Sequence, residues 1–250
     1  MRAMPKYLCL VAFLWSLLTT PAKAQEKAPH WSIGLAAGPA FPVGTFAGYH
    51  SPIQSSGGVS IGGNAELSGE YRLCPSFSVA MAFSGQVNHG AGVPYYLTQQ
   101  HFSSSSGANT GFNSDWRIAR ILAGGVYSIP LSKRQGPALF FRLLAGIGKI
   151  RTPDYSYTVY PPSGFPSNIT QPGASLSWTF SYETGAGIKW GLSPGVALLC
   201  YAGYSGSRPS KETPNIIITC PNGGCNLLPL PDGSFVTGTI QVRAGAQIAL

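Results

Sequence analysis

From residue 59 to 67 every odd position is apolar or small (Val59, Ile61, Gly63, Ala65, Leu67), while the even ones read Ser60, Gly62, Asn64, Glu66, then Ser68 and Glu70. An unbroken period of two belongs to a strand with one apolar and one polar side. After Arg72-Leu73-Cys74-Pro75 the pattern resumes. Phe77, Val79, Met81, Phe83 and Val87 alternate with Ser78, Ala80, Ala82, Ser84, Gln86 and Asn88. Two such runs joined by a tight turn predict a hairpin. Leu176, Trp178, Phe180, Tyr182, Ala186, Ile188 and Trp190 alternate with Ser177, Thr179, Ser181, Glu183, Gly185, Gly187 and Lys189. Near the terminus, Val236, Ile240, Val242, Ala244, Ala246, Ile248 and Leu250 alternate with Thr237, Thr239, Gln241, Arg243, Gly245 and Gln247.

Weaker strands span about 31–41, 115–129, 138–150 and 196–205. In the second of these the register is ambiguous, because one phase sends Arg120 to the outside with Arg117 in the interior and the other phase does the reverse. The seven connections among the eight stretches run long, short, long, short, long, short, long. That alternation predicts an all-β fold: an eight-stranded antiparallel up-and-down transmembrane β-barrel with short periplasmic turns and long extracellular loops. A soluble all-β sandwich also alternates, but it would present polar outward faces on several strands. Here the polar face is dominated by Gly, Ser, Thr and Ala with isolated charges, which suits a narrow barrel interior. Tryptophans near both ends of the 176–190 strand are expected in two interfacial aromatic girdles.

Composition sharpens this picture. The chain has 32 Gly and 21 Pro, and only 10% of its residues are charged, against roughly 25% in soluble domains. Its first residues carry Arg2 and Lys6, an apolar run from Tyr7 to Leu18 and then Ala22-Lys23-Ala24. This reads as a signal peptide, residues 1–24, cleaved before Gln25. The run is far shorter than the roughly 20 residues a spanning helix needs, and Cys9 sits at its start, not after the cleavage site, which argues against a lipoprotein. A short segment, 25–30, then leads to the barrel, 31–250. The destination is the cell outer membrane.

The formal charge of +8 falls to +5 once Arg2, Lys6 and Lys23 are removed. The remaining basic residues form no run or stripe that could track a phosphate backbone, so nucleic acid is excluded as a partner. Four cysteines remain after processing: Cys74, Cys200, Cys220 and Cys225. They allow three full pairings. The Pro-Asn-Gly-Gly turn between Cys220 and Cys225 favours a local disulfide in an oxidising compartment, while the pairing of Cys74 and Cys200 stays open.

Gly34-Leu35-Ala36-Ala37-Gly38-Pro39, Ala-Gly-Ile-Gly at 145–148 and Gly-Ala-Gly-Ile at 185–188 resemble the small outer-membrane β-barrel domain family of Gram-negative bacteria, including OmpA/OmpX-like and PorT-like barrels. The likeness covers about residues 30 to 250. It implies outer-membrane lipid, lipopolysaccharide and the outer-membrane assembly machinery as partners. Members usually end in an aromatic residue; this sequence ends in Ala249-Leu250.

The inward-phase charges are Glu66, Glu70, Arg142, Glu183, Lys189 and Arg243, with Arg117 if its strand takes that register. Both signs occur, so they can form an ion-pair network that fills the barrel; the alternative is a proton or ion path. No cofactor is implied. His30, His50, His89 and His101 show no metal-ligand spacing. His89 has the outward phase beside the second long loop, with Ser103 to Ser106 beyond, but no paired acid is evident, so the triad of a lipid hydrolase is incomplete. Enzymatic function is not expected. Asn168-Ile169-Thr170 and Gly146-Ile147-Gly148-Lys149 are chance matches to glycosylation and phosphate-loop patterns.

The long loops carry the remaining functional information. The third holds Tyr155, Tyr157, Tyr160 and Phe165, either contact residues for an extracellular protein partner or part of a solvated rim. In the fourth, residues 215–219 and 226–230 flank the Cys220–Cys225 turn. They predict either an extension of the last hairpin, with an exposed edge able to take a partner strand, or a loop collapsed over the mouth. A structural or surface-interaction role through these loops is therefore the leading expectation, with a small diffusion channel or a lipid-modifying enzyme as alternatives.

Overall fold

A computed structural model describes residues 30–47, 59–90, 108–112, 115–131, 136–159, 167–171, 178–193, 195–208, 215–219, 228–229 and 237–250. The expected signal peptide, His50, His101, Ser103 to Ser106, Tyr160, Phe165 and the Cys220–Cys225 turn lie outside the described residues.

Eight long strands close into one barrel: β1 (Trp31–Val43), β2 (Val59–Cys74), β3 (Phe77–Gly90), β5 (Trp116–Pro130), β6 (Ala138–Arg151), β9 (Thr179–Ser193), β10 (Val196–Ser207) and β13 (Thr237–Ala249). Each pairs antiparallel with its neighbours in chain order, and β1 closes the circle against β13. Closure satisfies every strand edge within the barrel, a requirement for backbone placed in lipid. Short strands β4 (Ala108–Phe112), β7 (Tyr155–Val159), β8 (Ser167–Gln171), β11 (Asn215–Thr219) and β12 (Leu228–Pro229) form a second, five-stranded sheet in the order β12-β11-β8-β7-β4. The second, third and fourth long connections thus build one shared sheet. The last hairpin does not simply prolong the barrel: β11 pairs with β12 on one side and with β8 of the third connection on the other.

Alternation sets the inside and outside. Leu35, Ile61, Leu143, Phe180, Leu198 and Ile248 project outward and are exposed, as an outer-membrane-type barrel requires of its lipid face. Trp190 and Trp31 stand outward at the short-turn end, and Trp178 at the opposite end. Inside, Ala80, Ala82, Leu122, Val126, Phe140, Leu144 and Tyr201 form one apolar cluster. Phe46, Val59, Trp116, Ile118 and Ile150 form another beneath the long loops. Phe46 reaches that place because Gly44, at φ +63°, lets the chain turn after β1 into the short 3-10 helix Gly44–Phe46; a left-handed backbone favours glycine. Its ring meets Trp116 edge-on, centroids 5.4 Å apart.

Candidate functional site: the buried ion-pair network of the lumen

The polar interior grows from an interruption in the strand ladder. Pro39 has no N–H, and the β1–β13 pairing skips from Ala37↔Ala244 to Ala40↔Gln241. A proline in a strand leaves a ladder position unmade. Asn64, opposite on β2, donates its Nδ2 to the carbonyls of Gly38 (3.1 Å) and Pro39 (3.0 Å). Its Oδ1 is thereby aimed at the lumen, where it accepts from Arg243 Nε at 2.6 Å.

Arg243 is one corner of a buried quartet. Glu66 accepts from Arg142 Nη1 at 2.5 Å and Nη2 at 2.6 Å, and from Arg243 Nη1. Glu183 accepts from Arg243 Nη1 at 3.1 Å and Nη2 at 2.8 Å, and is ion-paired with Arg142 at 3.2 Å. Signs alternate around the ring, so two cations and two carboxylates cancel. Glu66, Glu183 and Arg243 are at most 3% exposed. Charges this deep are tolerable only when each is paired and hydrogen-bonded. Tyr201 lies under both guanidiniums, 5.4 Å from Arg142 and 5.5 Å from Arg243, and stacks on Phe140 at 6.0 Å. Gly187 and Gly203 leave the room these rings fill, since a Cβ at either would overlap Phe140 or Tyr201.

Amide groups extend the network toward the long loops. Arg243 donates to Gln241, which donates to Gln86 (3.1 Å) and Ser205 (2.7 Å). Gln86 accepts from Arg120 Nη1 at 3.0 Å and donates to Asn88 and Thr239. Asn88 completes the chain on the carbonyls of Ala40 and Ser60, beside the β-bulge between Val59 and Gly62. Toward the short turns, Lys189 pairs with Glu70 at 2.6 Å and lies 5.2 Å from the Phe140 ring. This pair borders a vestibule of about 440 Å³ that also reaches His30, Ser32, Arg72 and Gln247.

Of the charges read as inward from the sequence, Glu66, Arg142, Glu183 and Arg243 come together, and Glu70 with Lys189 forms a separate pair. Arg117 does not join them. It is exposed on the outer face, and its strand neighbour in the lumen is Arg120, 2% exposed. The register is fixed by pairing of β5 with β3 and β6, which turns Trp116, Ile118, Arg120, Leu122 and Val126 inward together. Arg120 Nε donates to Ser207 at 3.2 Å, while its Nη2 and the Tyr201 hydroxyl meet no hydrogen-bond partner among the described residues. Sequence reading left Arg120 out of the inward charges and missed Tyr201 and the role of Phe46.

One further expectation changes. His89 does have an acid beside it: its Nδ1 lies 2.7 Å from Asp115 Oδ1 on the outer face. The described hydroxyl that meets His89, Ser60 Oγ, donates to the backbone carbonyl and not to the ring. Tyr155 and Tyr157 stand in β7, a short strand within that third connection, at register positions opposite Phe112 and Thr110 of β4 and Gln171 and Ile169 of β8. Cys74 and Cys200 are free thiols. Among the described residues no group of His, Cys, Asp and Glu is placed to hold a metal.

The closed ring of eight strands, apolar outside and charged inside, decides the architecture. This is an outer-membrane-type β-barrel. No family model and no curated protein matches the chain. Among solved structures the barrel is similar to neisserial surface protein A, at 14% identity over 90% of this chain and 100% of that one, TM-score 0.43. It is similar also to Ail, the attachment invasion locus protein of Yersinia pestis (16%, 87% and 96%, 0.37), and to a major outer membrane protein from Thermus thermophilus (13%, 87% and 98%, 0.42). At such low scores these likenesses add nothing to what the barrel's own strand pairing establishes.

Proposed function

We propose that the chain is a non-conducting outer-membrane barrel whose work is surface interaction, through the sheet built by its three longest-reaching connections. The observation that carries this reading is the five-stranded order β12-β11-β8-β7-β4. Segments from three connections, far apart in sequence, are bound into one unit whose outer edges are β4 and the two-residue β12. An outer strand edge with unpaired backbone groups is a template for a partner's strand. The stretch 215–219 is itself an interior strand, so on this reading the partner adds at β4 or β12. The glycine-rich strand motifs support reading the protein as similar to the OmpA/OmpX-like and PorT-like barrels.

A channel is the weaker reading, because the quartet and the aromatic pair beneath it occupy the lumen of a barrel whose eight strands leave space only for side chains. Planar bilayers containing the protein should show no stable single-channel currents; reproducible nanosiemens openings would overturn the closed lumen. For the surface role, cells displaying the full barrel should adhere to matrix-coated surfaces. Deletion of residues 108–112 together with 215–229, which removes both outer strands, should abolish adhesion while the heat-dependent gel shift of a folded barrel persists. Adhesion unchanged by the deletion, or absent in both, would sink it. A lipid hydrolase draws on the His89–Asp115 pair alone and lacks a hydroxyl on the imidazole among the described residues.

A further inference from the structure

One buried cation of the lumen has no counterpart. Among the described residues the interior holds Arg120, Arg142, Lys189 and Arg243 against Glu66, Glu70 and Glu183. Glu66 and Glu183 are each shared by Arg142 and Arg243, and Glu70 is taken by Lys189, so the surplus charge falls on Arg120. That residue is 2% exposed, and no carboxylate among the described residues pairs with it. Its Nη1 donates to Gln86 Oε1 at 3.0 Å and its Nε to Ser207 Oγ at 3.2 Å, while Nη2 has no hydrogen-bond partner among the described residues. Ser84, its cross-strand neighbour on β3, carries a second buried polar atom, Oγ, that has none either.

A guanidinium keeps its charge inside a protein, and a buried charge left unpaired is strongly unfavourable. Water can complete the hydrogen bond but brings no charge. Nε and Nη2 form one edge of the guanidinium, an edge able to hold an anion through two parallel hydrogen bonds. Here that edge meets hydroxyls. Ser207 Oγ, which accepts from Nε, lies 2.7 Å from Ser181 Oγ. Two hydroxyls that share one hydrogen bond leave one O–H free to donate, and both serines are fully buried. Their approach depends on Gly148: a Cβ there would come within 2.4 Å of Ser181 Oγ and 3.3 Å of Arg120 Cγ. Surroundings this close suit a monatomic ion of one charge and leave a carboxylate or phosphate no room.

We propose that Arg120, Ser181 and Ser207 bind one chloride ion inside the barrel, between β5, β9 and β10. Arg120 Nη2 and the free serine hydroxyl donate to the ion, and Ser84 brings a further donor at the same rung. The described lumen then holds four charges of each sign. The ion is a fixed part of the interior, since the quartet and the stacked Phe140 and Tyr201 fill the lumen on the side of the short turns. Its binding does not depend on the surface role of the loops.

Folding of the full-length barrel into lipid vesicles, followed at constant ionic strength while gluconate is replaced stepwise by chloride, tests this. Above the dissociation constant of the site, the folding equilibrium constant of the wild type should rise about tenfold for each tenfold rise in chloride, the linkage expected of one bound ion. Arg120→Gln should lose that dependence. Arg117→Gln, which alters an exposed arginine of the same strand, should keep it. Crystals of the wild type grown in bromide should place one anomalous scatterer within hydrogen-bond distance of Arg120 Nη2, a measurement that stands even where Arg120→Gln does not fold. A wild type indifferent to chloride, an equal dependence in Arg120→Gln, or a bromide crystal with only water at Nη2 would each overturn the site.

Discussion

Replacing Glu66 by Gln tests whether the quartet holds the barrel together. The carboxylate accepts from Arg142 through both of its oxygens and from Arg243. The amide keeps the shape but removes a charge and turns an N–H₂ toward a guanidinium. The described lumen then holds Arg120, Arg142, Lys189 and Arg243 against only Glu70 and Glu183. Losing one partner of a buried pair costs about 3–5 kcal/mol, because the remaining charge is left uncompensated. Glu70→Gln is the internal comparison. Its pair with Lys189 retains 13% and 17% side-chain exposure and borders the vestibule, so water replaces much of what is lost and the cost is nearer 1 kcal/mol. The expected gap between the two variants is therefore about 2–4 kcal/mol. Equilibrium urea unfolding of the barrel refolded into lipid vesicles, followed by tryptophan fluorescence and by the heat-dependent gel shift, reads it directly. Glu66→Gln/Arg142→Gln, which restores the balance of signs, should recover a large part of the loss. Coincident unfolding midpoints for Glu66→Gln and Glu70→Gln would refute the argument, since burial would then have no bearing on the cost.

Tyr201→Phe should be neutral or stabilising by up to about 1 kcal/mol in the same unfolding assay, because the buried hydroxyl has no hydrogen-bond partner among the described residues and removing it relieves desolvation; Tyr201→Leu should destabilise, since the ring under both guanidiniums is lost. Phe46→Ala should cost about 3–5 kcal/mol as a fully buried aromatic truncation, and a midpoint equal to wild type would show that the inturned segment after β1 is not part of the core. Mass spectrometry of the unreduced protein is expected to find Cys220 linked to Cys225 and Cys74 and Cys200 free; free thiols at 220 and 225 would remove the bridge.

Much of the barrel could be read from residue order because its inward faces are polar where alternation is cleanest. In β2, β9 and β13 the inward residues include Glu66, Glu183 and Arg243, so hydropathy and orientation agree. β5 inverts that relation. Its inward face carries Trp116, Ile118, Leu122 and Val126, which line the two interior apolar clusters, while its outward face carries Arg117, Ala119, Ala123 and Gly125. Hydropathy alone gives the wrong phase there, and only pairing with β3 and β6 restores it. The extracellular sheet was hidden for another reason. Its strands are two to five residues long, and two of its four pairings, β4 with β7 and β8 with β11, join segments from different connections. No local period reports such pairing, and the tyrosines of β7 read as loop residues until their partners are known. His89 found its acid in the same way, across neighbouring strands.

Arg243 sits on β13, the last strand of the barrel in chain order, while the groups it meets stand on β2 and β9. Before β13 docks, Glu66, Glu183 and Arg142 share one excess negative charge, and Asn64 Oδ1 has no guanidinium to accept from. Seating the last strand supplies the missing cation and joins strands separated by 177 residues at one atom pair. A slip of β13 by a single residue would turn Arg243 into lipid and Ala244 into the lumen, leaving the excess charge unanswered. The ring of charges therefore works as a register lock: the quartet reaches electrical balance only when the barrel closes in the right frame.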